Sequence, residues 1–152
     1  MLGTSWPTYG FYFLIFIAFA PLIHLIQSNK TENNFKLTFF SFITFLVWNT
    51  ITTYWLYYAT LTGMLFAIIV NSLLMSSIVL VSLFIWKKLG NKLSIIFFIS
   101  LWICFEKFHL NWDFSWPWLN LGNVFSENIK IIQWYEYTGV FGGTLWVLIS
   151  NF

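Results

Sequence analysis

The feature that most constrains this chain is a stretch from Leu37 to Trp86 that contains no acidic or basic residue. A helix needs about 20 apolar residues to cross the hydrocarbon core of a bilayer, so this stretch is too long for one crossing. Near its middle, the segment Tyr57–Gly63 (YYATLTG) has the polar and glycine residues that are typical of a tight turn. The stretch therefore predicts a helical hairpin made of two membrane spans.

The composition also predicts an integral membrane protein. Of the 152 residues, 59% are hydrophobic and 8% are charged, with a mean hydropathy of +0.78, whereas soluble domains carry about 25% charged residues. The net charge is +2, because seven scattered lysines, with no arginine, stand against five acidic residues. This excludes a nucleic-acid-binding surface, which needs a basic patch. The sequence has no metal-ligand cluster or phosphate-binding loop, so we expect no metal and no cofactor.

Three further apolar runs extend the pattern beyond the hairpin. We expect an all-α integral membrane fold, a bundle of about five transmembrane helices in one multi-pass domain over residues 1–152. The predicted spans are residues 9–27, 37–58, 63–86, 93–110 and 134–152.

Lysine placement predicts the orientation of the spans, because short loops rich in lysine stay on the cytoplasmic side. Five of the seven lysines fall between spans one and two or between spans three and four, which places them on the same face: Lys30, Lys36, Lys87, Lys88 and Lys92. The opposite, extracytoplasmic face receives residues 106–136, which hold four of the five acidic residues.

Small and polar residues inside the spans are interpreted first as packing features. Asn49 and Asn71 each lie eleven positions from Thr60, near the tip of the hairpin, so we expect them at similar depth and hydrogen-bonded to each other. Gly139 and Gly143 form a G-x-x-x-G pattern that predicts close approach of another helix. The single cysteine, Cys104, lies in an apolar run and is expected to be a buried, unreactive thiol.

The stretch Phe105–Asn123 (FEKFHLNWDFSWPWLNLGN) combines scarce charges with many aromatic residues. Glu106 and His109 share one face of a continuing helix and can pair. Near a helix C-terminus the dipole disfavours an anion, and an uncompensated acid at membrane depth costs about 2.5 to 3.5 kcal/mol. Glu106 must therefore be compensated, either locally by Lys107 or His109 or by a polar group from another span. An acid in this position indicates either a functional site or an interfacial ion pair.

The same stretch is expected to leave the helix near Asn111 and to continue as an ordered loop, because Pro117 disfavours helix at Trp116. Its tryptophans, including Trp116 and Trp118, fit either a headgroup belt or the wall of a lipid or peptide pocket. Cys104 cannot act with Glu106 as a catalytic pair, since at about 100° per residue the two side chains diverge by about 200° on one helix.

Four segments together resemble one known family. They are FEKFHLNWDFSWPWLNLGNVF (residues 105–125), IIQWYEYTGVFGGTLWVLISN (131–151), SWPTYGF (5–11) and FIAFAPL (16–22). The acid at the helix end, the proline–tryptophan–leucine, the glycine and the glycine-rich span resemble the front membrane part of bacterial apolipoprotein N-acyltransferases. Many of these proteins have arginine three positions after the acid, where this chain has His109.

The resemblance implies a function in lipoprotein maturation at the bacterial inner membrane. The family transfers an acyl chain from a phospholipid donor to the N-terminal diacylglyceryl-cysteine of an apolipoprotein, using an activated thiol in a nitrilase-like domain outside the membrane. By resemblance, this chain lacks the first span and the nitrilase-like domain, so we expect no catalytic residue and no activity of its own. Expected partners are the phospholipid, the apolipoprotein and the bilayer, and the charged aromatic loop is expected to face the periplasm.

The resemblance also suggests which residues shape the substrate entrance. They are Glu106, His109, Trp116, Pro117, Trp118 and Glu136. Two alternatives stay open from the sequence alone. One is a small non-enzymatic scaffold or transporter subunit, in which the acid, lysine and histidine form a relay; the other is a structural bundle without a site.

Overall fold

The computed structural model describes residues 1–7, 10–28 and 33–152. The described residues form helices and turns and contain no β-strand, as the all-α prediction requires. The predicted start of the first span at Tyr9 and the predicted cytoplasmic Lys30 lie outside these residues.

The described residues contain six α-helices. In chain order they are α1 (Ile15–Ala18), α2 (Ala20–Ser28), α3 (Asn34–Thr53), α4 (Leu61–Leu89), α5 (Asn91–His109) and α6 (Tyr135–Ser150). Short 3₁₀ helices are Gly3–Ser5, Tyr12–Leu14, Tyr54–Tyr58, Pro117–Leu119 and Leu121–Phe125. Within the described residues, two helical segments are long and apolar enough to cross a membrane by length and composition, Asn34–Tyr58 and Leu61–Leu89. The count of five spans stays a prediction.

The chain divides into two compact units. The first unit comprises Met1–Ile23 and Ile95–Phe152, and the second unit comprises His24–Ser94. The first unit contains the charged aromatic segment and the glycine-rich helix α6, and the second contains the helical hairpin.

The second unit contains the helical hairpin that the charge-free stretch predicts, and the membrane crossing of its two helices stays a prediction. Helices α3 and α4 are joined through the 3₁₀ helix Tyr54–Tyr58, and Thr60 caps the start of α4, where its hydroxyl accepts a 3.5 Å hydrogen bond from the backbone N–H of Gly63. An N-cap of this kind satisfies one of the N–H groups that lack a partner in the first turn.

The two asparagines of the hairpin bond to each other as predicted. Asn71 Nδ2 donates a 2.7 Å hydrogen bond to Asn49 Oδ1, and Asn49 Nδ2 donates to the carbonyl oxygen of Phe45 at 2.8 Å. Both asparagines are buried. A buried amide is tolerated only when its donors and acceptors are satisfied, so this pair links α3 and α4 without leaving the amides unpaired.

The first unit begins with a broken helix. Helix α1 ends at Ala18 and α2 begins at Ala20, so the first predicted span is two short helices around Phe19. The Asn151 side chain lies at this break. Its Oδ1 accepts from the backbone N–H groups of Phe19 (2.8 Å) and Ala20 (3.2 Å), and its Nδ2 donates to the Ile15 carbonyl (2.9 Å). Asn151 thereby replaces backbone hydrogen bonds that the break removes.

Candidate functional site

Glu106 is the centre of the hydrogen-bond network in the first unit. It lies in the last turn of α5 and is only 1% exposed. Its Oε1 accepts from the backbone N–H of Leu121 at 2.8 Å and from Trp102 Nε1 at 3.2 Å. Its Oε2 accepts from the Thr144 hydroxyl at 2.6 Å. One buried carboxyl group thus joins helix α5, the loop that follows it, and helix α6.

The hydrogen-bond donors to Glu106 are not its sequence neighbours Lys107 and His109. Among the described residues, neither His109 nor Lys107 forms an ion pair or hydrogen bond with Glu106, so the first of the two alternatives, local compensation, is not the one found there. Lys107 Nζ instead lies 5.8 Å from the centre of the Phe141 ring. The second alternative, a polar group from another helix, is found in Thr144 of α6. Burial of an acid costs little free energy only when the acid is well hydrogen-bonded. The three donors to Glu106 supply those hydrogen bonds, and none of the three is a cation.

His109 is buried in an aromatic environment rather than in a polar one. It is 3% exposed, and neither ring nitrogen has a hydrogen-bond partner among the described residues. The imidazole packs edge-on against the rings of Phe105 and Trp112, with centroid distances of 4.6 and 5.2 Å. Its backbone carbonyl accepts a 3.2 Å hydrogen bond from Trp116 N–H, which fixes the start of the loop.

The loop after α5 is held by its own hydrogen bonds. The helix ends at His109, close to the predicted exit near Asn111, and Pro117 opens a 3₁₀ turn. The carbonyl of Pro117 accepts from Asn120 N–H at 3.2 Å and from Asn123 Nδ2 at 2.9 Å. A proline fits the first position of such a turn because its missing N–H is not needed there. The sequence after the turn is therefore presented to Glu106 in a defined conformation.

Gly122 fastens the loop to α6. Its N–H donates to Thr144 Oγ1 at 3.1 Å, and its carbonyl accepts from the Tyr135 hydroxyl at 2.9 Å. A Cβ atom at Gly122 would collide with the carbonyl oxygen of Val140. Thr144 consequently bonds both the loop backbone and Glu106, so a single hydroxyl couples the two.

The glycine-rich pattern of α6 packs differently from the prediction. A Cβ atom at Gly143 would collide with the Tyr135 hydroxyl and lie 2.9 Å from Gly122 Cα, so the loop occupies the position expected for another helix. Gly139 lies at a kink with φ 64° and ψ −172° and has nothing within 4 Å of its Cβ position. A residue other than glycine is strained at that φ, so Gly139 serves the kink rather than helix packing.

The remaining predicted site residues lie outside the Glu106 network. Trp116 and Pro117 are half-buried, and Trp118 is 57% exposed. Glu136 is exposed in the first turn of α6, and its side chain forms no hydrogen bond or ion pair within the described residues. Their substrate roles stay a prediction.

Cys104 is exposed, so the expectation of a buried thiol is wrong. Its exposure and the burial of Glu106 on the same helix confirm that the two side chains diverge.

The sequence analysis missed Trp102, Thr144 and Tyr135. Trp102 had a usable signal, because it precedes Glu106 by four residues and therefore lies on the same helix face. Trp102 is fully buried and packs edge-on against Phe19, with ring centroids 5.0 Å apart. Thr144 had no such signal, since its partner is thirty-eight positions away.

Two comparisons with known proteins point to one family. A family model described as the apolipoprotein N-acyltransferase N-terminal domain matches residues 1–152. An apolipoprotein N-acyltransferase from Chlorobaculum tepidum is 29% identical over 153 residues, which cover 99% of this chain and 28% of the relative. The chain thus spans less than a third of that relative's length. No solved structure matches the chain. The chain belongs to the apolipoprotein N-acyltransferase N-terminal domain family.

Proposed function

We propose that this chain forms the membrane portion of an apolipoprotein N-acyltransferase, which transfers an acyl chain from a phospholipid to the N-terminal diacylglyceryl-cysteine of lipoproteins. Family membership supports a role in lipoprotein maturation. The observation that carries the proposal is the buried Glu106 network, which holds the tryptophan–proline loop against α5 and α6.

In this proposal, Glu106 positions the loop, and the loop shapes the entrance for substrates. Trp116, Pro117 and Trp118 supply an amphipathic wall, since indole rings combine a large apolar face with one N–H donor. Glu136 contributes from the first turn of α6, where it is exposed. The acyl donor and the apolipoprotein acceptor both carry acyl chains on a glycerol group. An aromatic wall at the membrane interface can pack against the glycerol and ester groups of such molecules.

The 152-residue chain is proposed to have no acyltransferase activity by itself. Acyl transfer through a thioester needs a thiol within reach of a general base. Cys104 is exposed while Glu106 is buried and occupied by three donors, so these two groups cannot supply that pair. Incubating the purified chain with radiolabelled phospholipid tests this directly: we expect no hydroxylamine-sensitive label, and a thioester on Cys104 would contradict it.

We place the protein in the bacterial inner membrane as a multi-pass chain with the loop facing the periplasm. The two long apolar helices and the positions of the described lysines support this orientation. The alternative of a non-enzymatic scaffold or transporter subunit is less well supported. A proton relay through the acid, lysine and histidine needs hydrogen-bonded contact, and Glu106 has none with Lys107 or His109 among the described residues.

A chimera tests the proposed function. Residues 1–152 replace the matched segment of the Chlorobaculum tepidum relative, and conversion of a diacylated to a triacylated lipopeptide is measured by mass spectrometry in phospholipid vesicles. We expect the chimera to be active and Trp118→Ala to reduce its rate several-fold. Tyr58→Ala, which removes an exposed aromatic residue from the hairpin turn, serves as the matched control. Equal rates for both variants would contradict a substrate role for the loop.

A further inference from the structure

His109 and Trp112 form a cluster of buried polar atoms that the Glu106 network does not use. The two rings meet edge-to-face at an interplanar angle of 86° with centroids 5.2 Å apart. His109 Nδ1, His109 Nε2 and Trp112 Nε1 are all buried and have no hydrogen-bond partner among the described residues. We call these three atoms and their rings the His109–Trp112 cluster.

Buried polar atoms in proteins are almost always hydrogen-bonded, and each exception calls for an explanation. Three such atoms within four residues of sequence therefore call for a partner from outside the described residues. A neutral imidazole offers one N–H donor and one acceptor nitrogen, and an indole offers one N–H donor. The cluster thus offers two N–H donors and one acceptor nitrogen, and the two donors match a group with several acceptor oxygens close together.

The surroundings of the cluster restrict the chemistry of that partner. The cluster lies at the C-terminal end of α5, at the predicted headgroup level, and the exposed ring of Phe108 lies beside both members, with centroids 6.2 Å from His109 and 5.0 Å from Trp112. The nearest charged residues in sequence are Lys107 and Asp113, which are both exposed and of opposite sign. Apolar rings around two N–H donors favour an oxygen ligand that arrives attached to an apolar body.

We propose that His109 and Trp112 bind a phosphate oxygen of a phospholipid headgroup. The ring nitrogens are covered in this structure, so the proposal requires the half-buried Trp112 side chain to turn and admit the oxygen. This site is a headgroup clamp and does not require that the bound lipid be the acyl donor. It rests on the membrane location in the proposed function and not on acyl transfer.

Nitrogen-15 NMR tests the site, because the chain has only two histidines. The full chain is labelled with ¹⁵N-histidine in dodecyl maltoside micelles and titrated with dihexanoyl phosphatidylglycerol. We expect a saturable shift of the His109 ring nitrogens and none at His24, which is exposed on α2. Dihexanoylglycerol, which lacks the phosphate, should leave both histidines unshifted.

Variants separate the clamp from nonspecific lipid contact. Trp112→Phe keeps an aromatic ring and removes the N–H donor, so we expect affinity to fall roughly tenfold, as for one hydrogen bond to a charged acceptor. Trp55→Phe, an exposed tryptophan of the second unit, is the matched control and should bind normally. Unchanged affinity in Trp112→Phe, or an equal shift with dihexanoylglycerol, would overturn the proposal.

Further outcomes identify the source of the phosphate and show whether the clamp or the proposed function has failed. An equal shift with inorganic phosphate at the same concentration would overturn the headgroup assignment in favour of a free anion. An active chimera without any shift at His109 overturns the clamp alone. A shift at His109 together with an inactive chimera supports the clamp and contradicts the proposed function.

Discussion

The Thr144 hydroxyl donates a 2.6 Å hydrogen bond to Glu106 Oε2 and accepts a 3.1 Å hydrogen bond from Gly122 N–H. A buried hydroxyl that both donates and accepts cannot be replaced by an apolar group without leaving two partners unsatisfied. Thr144 therefore links the loop backbone at Gly122 to the carboxyl group of Glu106 on α5. The predictions for the first unit start from this coupling.

Thr144→Val removes the hydroxyl while keeping the shape of the side chain. It leaves the N–H of Gly122 unpaired and Glu106 with one donor fewer, so we expect the free energy of unfolding to fall by about 1 to 3 kcal/mol. Denaturant unfolding in micelles measures the change. Thr144→Ser, which restores the hydroxyl, should recover most of it. Thr50→Val is the matched control, because that exposed hydroxyl bonds only to the Leu46 carbonyl of its own helix.

Glu106→Gln tests whether the carboxyl group positions the loop for function. The amide offers one acceptor oxygen instead of two, so one of the three donors loses its partner, and we expect slower acyl transfer by the chimera with normal amounts in the membrane. The exposed Glu127 supplies the control Glu127→Gln. Reduced amounts of protein with normal activity per molecule would instead assign Glu106 a purely structural role.

Gly143→Ala tests the contact between α6 and the loop. The new Cβ atom meets the Tyr135 hydroxyl and lies close to Gly122 Cα, so we expect a loss of stability of about 1 to 3 kcal/mol from overpacking. Tyr135→Phe removes the hydroxyl and one hydrogen bond to Gly122. Because the two changes act on the same contact, the double variant should lose less stability than the sum of the single losses. Strictly additive losses of stability would contradict this prediction, because they would show that the new Cβ atom at position 143 does not collide with the Tyr135 hydroxyl.

The asparagine pair of the hairpin gives an independent prediction for the second unit. Asn71→Leu removes the donor to Asn49, and we expect a coupling energy of about 0.6 kcal/mol, with an upper range near 1.7, in a double-mutant cycle with Asn49→Leu. Unfolding of the four variants in micelles measures it. A coupling energy of zero would mean that the 2.7 Å contact contributes no net stability.

Much of the fold could be predicted because the signals lie close together in sequence. The charge-free stretch and its turn predicted α3 and α4, and equal spacing from Thr60 was enough to predict the bond between Asn49 and Asn71. Helical periodicity also separated Cys104 from Glu106 correctly. In each case the relevant distance is set by one helix or one tight hairpin.

The details of the site could not be predicted in the same way. Periodicity placed His109 on the face of Glu106, but Thr144 and the backbone of Leu121 compete successfully for the carboxyl oxygens. The positions of those donors depend on the conformation of the loop after α5 and on the kink in α6. No local sequence pattern predicts that conformation. The exposure of Cys104 escaped prediction for a related reason, since an apolar helix in a bilayer does not need to bury every apolar residue in protein.

Asn151 provides the last prediction, because its side chain bonds three backbone groups around the helix break at Phe19 and one carbonyl of α6. It is 7% exposed, and besides Phe19, Ala20 and Ile15 it bonds the Val147 carbonyl at 2.8 Å. Asn151→Leu leaves the two N–H groups at the break unpaired, so we expect the free energy of unfolding to fall by about 1 to 3 kcal/mol. Asn151→Asp keeps the acceptor oxygen but places a second oxygen against the carbonyls of Ile15 and Val147, so it should also lose stability. Ser150→Ala, an exposed neighbour that bonds its own helix, is the control. If Asn151→Leu proved as stable as Ser150→Ala, the break at Phe19 would be held by packing of Phe19 against Trp102 rather than by these hydrogen bonds.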